Sequence, residues 1–173
     1  MANDSMRPQD IAALLKIITY KGKKWLNKDL AGDLFLSTAE ISNSLNRSMI
    51  AGLIDEEKKK VRKLALVEFL VYGLAYVFPQ KPGGASRGMP TAHSHPFFSK
   101  FLVSDYLYVW PDADSDEKGY SVQPLYPAAV KAAKKDDDLY LLLALADVLR
   151  IGKTREKKIA SSELKRLINE SSH

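Results

Sequence analysis

With 173 residues, 46% of them hydrophobic, the chain can bury one medium-sized core, which excludes a disordered polypeptide. It contains no cysteine, which excludes disulfides, thiolate metal sites and cysteine nucleophiles. A net charge of +5 is compatible with a polyanionic partner without singling one out.

The opening residues Met1-Ala2-Asn3-Asp4-Ser5 lack a basic-then-apolar pattern. The most apolar run, residues 64–78, carries Glu68 and Gly73 and is fifteen residues long, short of the roughly 18–20 that a membrane span needs. The expectation is a cytoplasmic protein without membrane contact.

The first helix opens at Arg7-Pro8-Gln9-Asp10, where proline's missing N–H costs no hydrogen bond. Ile11, Leu14, Leu15 and Ile18 follow at i, i+3, i+4 and i+7. Gly22 ends the helix, and Lys21, Lys23 and Lys24 suit the negative end of its dipole; a solvated end is favoured over a phosphate contact. Asn27 is the expected N-cap of a second helix with Leu30, Ala31 and Leu34 inside. Phe35-Leu36-Ser37 forms the turn. A third helix is predicted over 37–51, with Ser37 as N-cap and Glu40 completing a capping box. Ile41, Leu45 and Met49 share one face. At about 100° per residue, Asn43 and Arg47 point the other way, with Ala39 and Asn46 nearby. Two short helices joined by a tight turn, after a longer one, make a helix-turn-helix arrangement.

Beyond Gly52, residues 53–62 place short apolar pairs around a charged tip, which predicts a small hairpin, a wing, despite a turn without a strong Gly or Asn signal. Lys58, Lys59, Lys60 and Arg62 lie on or beside it. They suit phosphate contacts, and equally a solvated loop in which Asp55, Glu56 and Glu57 partly cancel them. Residues 1–63 carry 12 basic and 8 acidic side chains, so most of the excess positive charge lies here.

This order of elements, with Leu30-Ala31, Ser37, Ile41-Ser42, Leu45 and Gly52-Leu53-Ile54 followed by a basic wing, resembles the winged helix-turn-helix transcriptional regulators, most closely the MarR-type group. The resemblance covers roughly residues 7–63, about a third of the chain. It implies a recognition helix in the major groove of double-stranded DNA and a homodimer on a two-fold operator. Members of that group usually dimerise through long terminal helices; here the first helix is short and the C-terminal part is mixed.

Residues 64–78 are apolar on all sides, which predicts a buried helix, either a spine between the two halves or a dimer interface. In residues 79–96, four prolines and three glycines exclude a continuous helix or a central strand. A long irregular loop is expected, with His93 and His95 partly exposed. Alternate histidines on a strand would point the same way, but the third, His173, stands at the chain end, and no metal site is expected. Residues 106–110 are aromatic and β-branched and predict a strand. A polar tip closed at Gly119 would return Tyr120-Ser121-Val122-Gln123 as its hairpin partner. Asp112, Asp114 and Asp116 have the first spacings of a calcium loop, but Glu117 stands where its glycine belongs and Gln123 where its bidentate glutamate belongs, so calcium is rejected. A short helix over 128–135 follows. Asp136-Asp137-Asp138 then caps a strong helix with Leu139, Leu142, Leu143, Ala146, Val148 and Leu149 inside. A last helix over 155–168 has a basic face.

The predicted fold is mainly α with small β elements. It has a winged helix-turn-helix domain over 1–63 and a helical and mixed region over 64–173 that contains a β-hairpin and serves dimerisation or a partner or effector. No phosphate-cradling loop, nucleophile elbow or triad stands out, so neither an enzyme nor a cofactor is expected. The leading expectation is a DNA-binding regulator. Asn43 and Arg47 lie nearest the bases, with Asn46 a further position on the DNA-facing side; Lys28, Ser37 and Thr38 touch phosphates; Lys58, Lys59, Lys60 and Arg62 add affinity. The alternative is a winged-helix interaction module or antitoxin-like adaptor that binds a partner protein through the C-terminal half. A small-molecule sensor with a pocket at the Pro/Gly-rich loop and aromatic strand is a third reading.

Overall fold

The computed structural model describes residues 4–102 and 106–170, so His173 lies outside the described residues. The molecule is mainly helical with one small three-stranded sheet. Helices α1 (Pro8–Thr19), α2 (Asn27–Leu34) and α3 (Thr38–Ile50) come first. In α1 and α2 the third helical residue is an aspartate that returns to the chain just before the helix. Asp10 accepts the Arg7 N–H at 2.8 Å, and Asp29 accepts the Leu26 N–H at 2.8 Å. The boundary residue of α2 is therefore Leu26 and not Asn27: Leu26 has no polar side chain to cap with, and the Asp29 N–H bonds the Leu26 carbonyl at 2.9 Å while the Asp29 carboxylate takes the Leu26 N–H.

Lys21 and Gly22 both adopt left-handed backbone after α1. At the end of α3, Gly52 is left-handed at φ 81°, and the Leu53 N–H reaches back to the Ser48 carbonyl at 2.9 Å. The expected stops at both glycines stand on this geometry.

After Gly52 the chain makes one antiparallel bridge, Ile54 to Val61, around a turn built on Asp55. The Asp55 carboxylate accepts the N–H groups of Lys59 at 2.8 Å and Lys60 at 3.0 Å, and Lys58 is left-handed. An aspartate and a strained lysine do here what Gly or Asn does in commoner turns.

Helix α4 (Lys63–Tyr72) and the single turn α5 (Leu74–Val77) meet at Gly73. The run expected to be buried on all sides is buried on one. Leu66, Val67, Leu70 and Leu74 face inward, whereas Leu64 is 75% exposed, Tyr72 72%, Tyr76 85% and Val77 52%.

A second correction concerns the Pro/Gly-rich segment, which holds strand β1 (Ala85–Pro90). β1 pairs antiparallel with both β2 (Tyr108–Pro111) and β3 (Lys118–Ser121), and β2 and β3 pair parallel, so the three strands close on one another. The expected hairpin between β2 and β3 does not form. Glycine makes this crossing feasible: a Cβ on Gly88 would lie 2.0 Å from the Trp110 carbonyl oxygen, and one on Gly119 2.5 Å from that of Leu107. Two 3₁₀ turns follow β1, at Ala92–Ser94 and Pro96–Lys100.

Helices α6 (Ala129–Lys134), α7 (Asp137–Ile151) and α8 (Thr154–Glu170) complete the chain. α7 is the central element, packed by α1, α4, α5, α6, α8 and the first 3₁₀ turn, and every residue from 142 to 149 is buried. Asp136 caps it through the Leu139 N–H at 3.0 Å and pairs with Lys16 of α1. Asp147, fully buried within α7, accepts hydrogen bonds from Thr91 Oγ1 and Trp110 Nε1, both at 2.7 Å, and from Arg150 at 2.9 Å. One cluster of buried side chains runs from Ile11 to Ile168 and includes residues on both sides of position 63.

Candidate nucleic-acid interface

The faces of α3 are decided by its small residues. Ile41 and Leu45 are buried as expected, but so are Ser44 and Ser48, while Met49 is only partly buried. The buried face is turned by roughly 50° from the one that Ile41, Leu45 and Met49 define. The serines let α3 approach its neighbours closely, and this rotation carries Arg47 inward.

Arg47 is 4% exposed. Its Nε and one terminal nitrogen clamp both oxygens of the fully buried Asp10 at 2.9 and 2.8 Å, and the same nitrogen also donates to Glu40 at 2.5 Å. Gln9 donates to that Glu40 oxygen at 3.2 Å. The placement of Arg47 among the base-reading residues is thereby corrected: a guanidinium held bidentately inside the protein cannot reach a groove. Its hydrogen bonds to Asp10 lead in raising its pKa above the ordinary arginine value, against the opposing effect of burial. Burial pushes the Glu40 carboxyl up, but the hydrogen bonds from Arg47 and Gln9 outweigh it and hold the group below its ordinary value. Glu40 therefore serves Arg47 with its carboxylate, while its N–H donates to Ser37 Oγ at 3.0 Å. Only the Ser37 half of the expected capping box is described.

What remains on the outward face of α3 is uncharged. Thr38, Ala39, Ser42, Asn43 and Ile50 are exposed and Asn46 is partly exposed. Ser37 is exposed at the N-terminus. Lys28 is exposed in the first turn of α2, and Lys60 and Arg62 are exposed on the bridged turn, with Lys58 partly exposed. None of these four cations is in an ion pair among the described residues. Asp55 is held ionised in this turn, with its carboxylate occupied by two backbone N–H groups. Burial raises its pKa, but the N–H groups of Lys59 and Lys60 prevail and lower it. Lys59 is drawn toward the body: its ammonium lies 4.5 Å from the Trp25 ring centre and donates to the Trp25 carbonyl at 3.3 Å. A small cavity of about 280 Å³ lined by Asn27, Ser42, Glu57 and Lys58 brings the start of α2, the outer side of α3 and the tip of the turn into one surface.

Several polar residues of the C-terminal half have structural partners. His95 Nδ1 accepts the Phe97 N–H at 3.0 Å, and burial pushes its pKa down to about 4. His93 is lowered for the same reason, with Glu156 at 3.9 Å opposing. Asp112 pairs with Lys134 at 2.6 Å, and that contact leads in holding its carboxyl low. Among the described residues no three His, Asp or Glu side chains cluster as metal ligands, and no helix is long and apolar enough to cross a membrane.

The lysines around Trp25 were missed as a group by the sequence reading. Lys23, Lys24, Lys59, Lys60 and Lys63 surround one groove although they come from two stretches of the chain. The Lys21–Lys24 and Lys58–Lys60 runs were visible in the sequence, but not that they meet. No family model, curated protein or solved structure matches this chain.

Proposed function

We propose that the first third of the chain is a winged helix-turn-helix module that binds double-stranded DNA as a non-catalytic transcriptional regulator, with α3 in the major groove. The observation that carries this reading is the division of labour on one surface. The outward face of α3 offers amides and hydroxyls, and cations without carboxylate partners stand beside it. Asn43 and Asn46 have the side chain that pairs bidentately with adenine N6 and N7. Lys28, Lys58, Lys60, Arg62, Ser37 and Thr38 supply the phosphate contacts that position the helix.

One such module covers little DNA, so the reading includes a homodimer. Leu64, Glu68, Tyr72 and Tyr76 recur every four residues along α4 and α5, and all four are exposed. The two tyrosines carry roughly 150–250 Å² each. With Leu64 and Val77 they reach the upper range for the largest apolar patch of a monomer, roughly 300–600 Å². A self-complementary stripe of this size with a single charge suits a second copy of the same chain.

The test is fluorescence anisotropy with random and selected duplexes across a salt series. The expected result is binding that weakens steeply with salt. Asn43→Ala with Asn46→Ala should lose at least tenfold on the selected duplex and little on random DNA, while Lys60→Glu with Arg62→Glu weakens both. No binding to any duplex at low salt overturns the reading and leaves the α4–α5 stripe as the contact of a protein-interaction module.

A further inference from the structure

A groove of about 710 Å³ opens between the end of α1, residues 22–26, the base of the bridged turn and the start of α4. Its floor is formed by Ile17, Ile18, Trp25 and Val61. Its rim carries Lys23, Lys24, Lys59, Lys60 and Lys63, and its lining includes no acidic side chain. None of these five lysines forms an ion pair among the described residues. The other lysine-containing cavity near α1 is different: there Lys16 is already matched by Asp33 and Asp136.

We propose that this groove binds a free anionic amphiphile, an acyl chain ending in a carboxylate or phosphate. The floor supplies the apolar contact and the rim supplies the counter-charge. At about 30 Å³ per water molecule, the groove holds roughly two dozen waters, room for a chain of about a dozen carbons with its head group. The volume lies within the range of small-molecule sites, roughly 300–1,000 Å³. Burial already pushes the Lys63 ammonium pKa below its ordinary value, and an arriving anion would reverse that penalty.

Binding stands independently of the DNA reading. Its regulatory consequence rests on that reading: Lys59 and Lys60 border both the groove and the proposed phosphate contacts, so an anion in the groove opposes DNA.

The experiment uses dodecanoate below its micelle concentration. Titrations are followed by calorimetry and by tryptophan emission. Trp110 is 1% exposed and does not line the groove, so the emission change should belong to Trp25 and vanish in Trp25→Phe. The expected result is one saturable site that dodecan-1-ol does not fill, weakened at least tenfold in Lys23→Glu with Lys24→Glu. Equal binding of the alcohol, unchanged affinity in that variant, or response only to anionic vesicles or an acidic amphipathic peptide would overturn the proposal. Dodecanoate should also raise the apparent Kd for DNA. Saturable dodecanoate binding without any DNA binding would sink the regulatory reading alone and keep the ligand site.

Discussion

Two apolar helices of this chain have opposite fates. Residues 64–78 form the most apolar run in the sequence, yet α4 and α5 lie at the perimeter and leave Leu64, Tyr72, Tyr76 and Val77 in solvent. α7 carries Asp147 within its apolar stretch and is buried at every residue from 142 to 149. Burial is a property of position in the assembly of elements: α7 is covered by α1, α6, α8, α4, α5 and a 3₁₀ turn, whereas α4 is packed mainly against α5, α8 and α7. The aspartate is tolerated because every neighbour that reaches it brings a donor. Asp147 joins the sheet, through Trp110 and Thr91, to Arg150, whose guanidinium also holds the Phe78 carbonyl at 2.9 Å.

That contrast can be tested at its strongest point first. Asp147→Ala leaves Arg150 buried without its partner, together with the Trp110 and Thr91 donors, and should cost about 3–5 kcal/mol. Denaturant unfolding checks this, and a loss below 1 kcal/mol would remove the hub from the account. The Asp10–Arg47–Glu40 clamp plays the same part in the N-terminal half, so Arg47→Ala should also destabilise by about 3–5 kcal/mol. DNA affinity should then fall in proportion to the unfolded fraction. A fully stable Arg47→Ala protein with altered sequence preference would restore Arg47 to base reading.

The histidine next to α7 predicts a pH dependence. His95 packs against Tyr140, the rings tilted and their centres 4.3 Å apart, and its folded pKa of about 4 lies below the ordinary 6.5. The folded state binds fewer protons there than the unfolded chain. The stabilisation is complete above pH 6.5 and is lost as pH falls toward 4, about 1–2 kcal/mol between pH 6.5 and 5. His95→Asn, which keeps an acceptor for the Phe97 N–H, should flatten the stability profile in that window. An unchanged slope would locate the titration elsewhere.

The smallest effect on folding is expected on the exposed side of the comparison. Tyr76→Glu should change monomer stability by no more than about 0.5 kcal/mol, yet light scattering should show its mass drop from two chains to one. A wild-type protein that is monomeric at tens of micromolar would leave the α4–α5 stripe without a second copy.

Local chemistry made the helix ends readable in the sequence. Pro8, Ser37 and Gly52 each satisfy or release a backbone group, and the structure uses all three. The facing of α3 was not readable, because apolar residues alone placed its core and the buried serines Ser44 and Ser48 moved it. The interior site of Arg47 followed from that rotation together with Asp10, which is 37 positions away in the chain. β1 was hidden for a related reason. Proline and glycine ordinarily argue against a central strand, but at Gly88 the missing Cβ is what lets the Trp110 backbone cross. The groove around Trp25 was invisible because Lys23 and Lys24 become neighbours of Lys59, Lys60 and Lys63 only when the α1 end meets the bridged turn and α4. Asn43, Asn46, Lys28, Lys60 and Arg62 remained at the surface, where the sequence put them.

The closure of the small sheet has one more consequence. Each of its three strands pairs with the other two, so none of them presents a fully unpaired edge to a strand from another molecule. Glycine-dependent closure thus protects a β element only a few residues deep from runaway pairing. A substitution with a side chain at Gly88 would do more than loosen the fold: by prising β1 from β2 it would expose strand edges and turn a soluble defect into an aggregation-prone one.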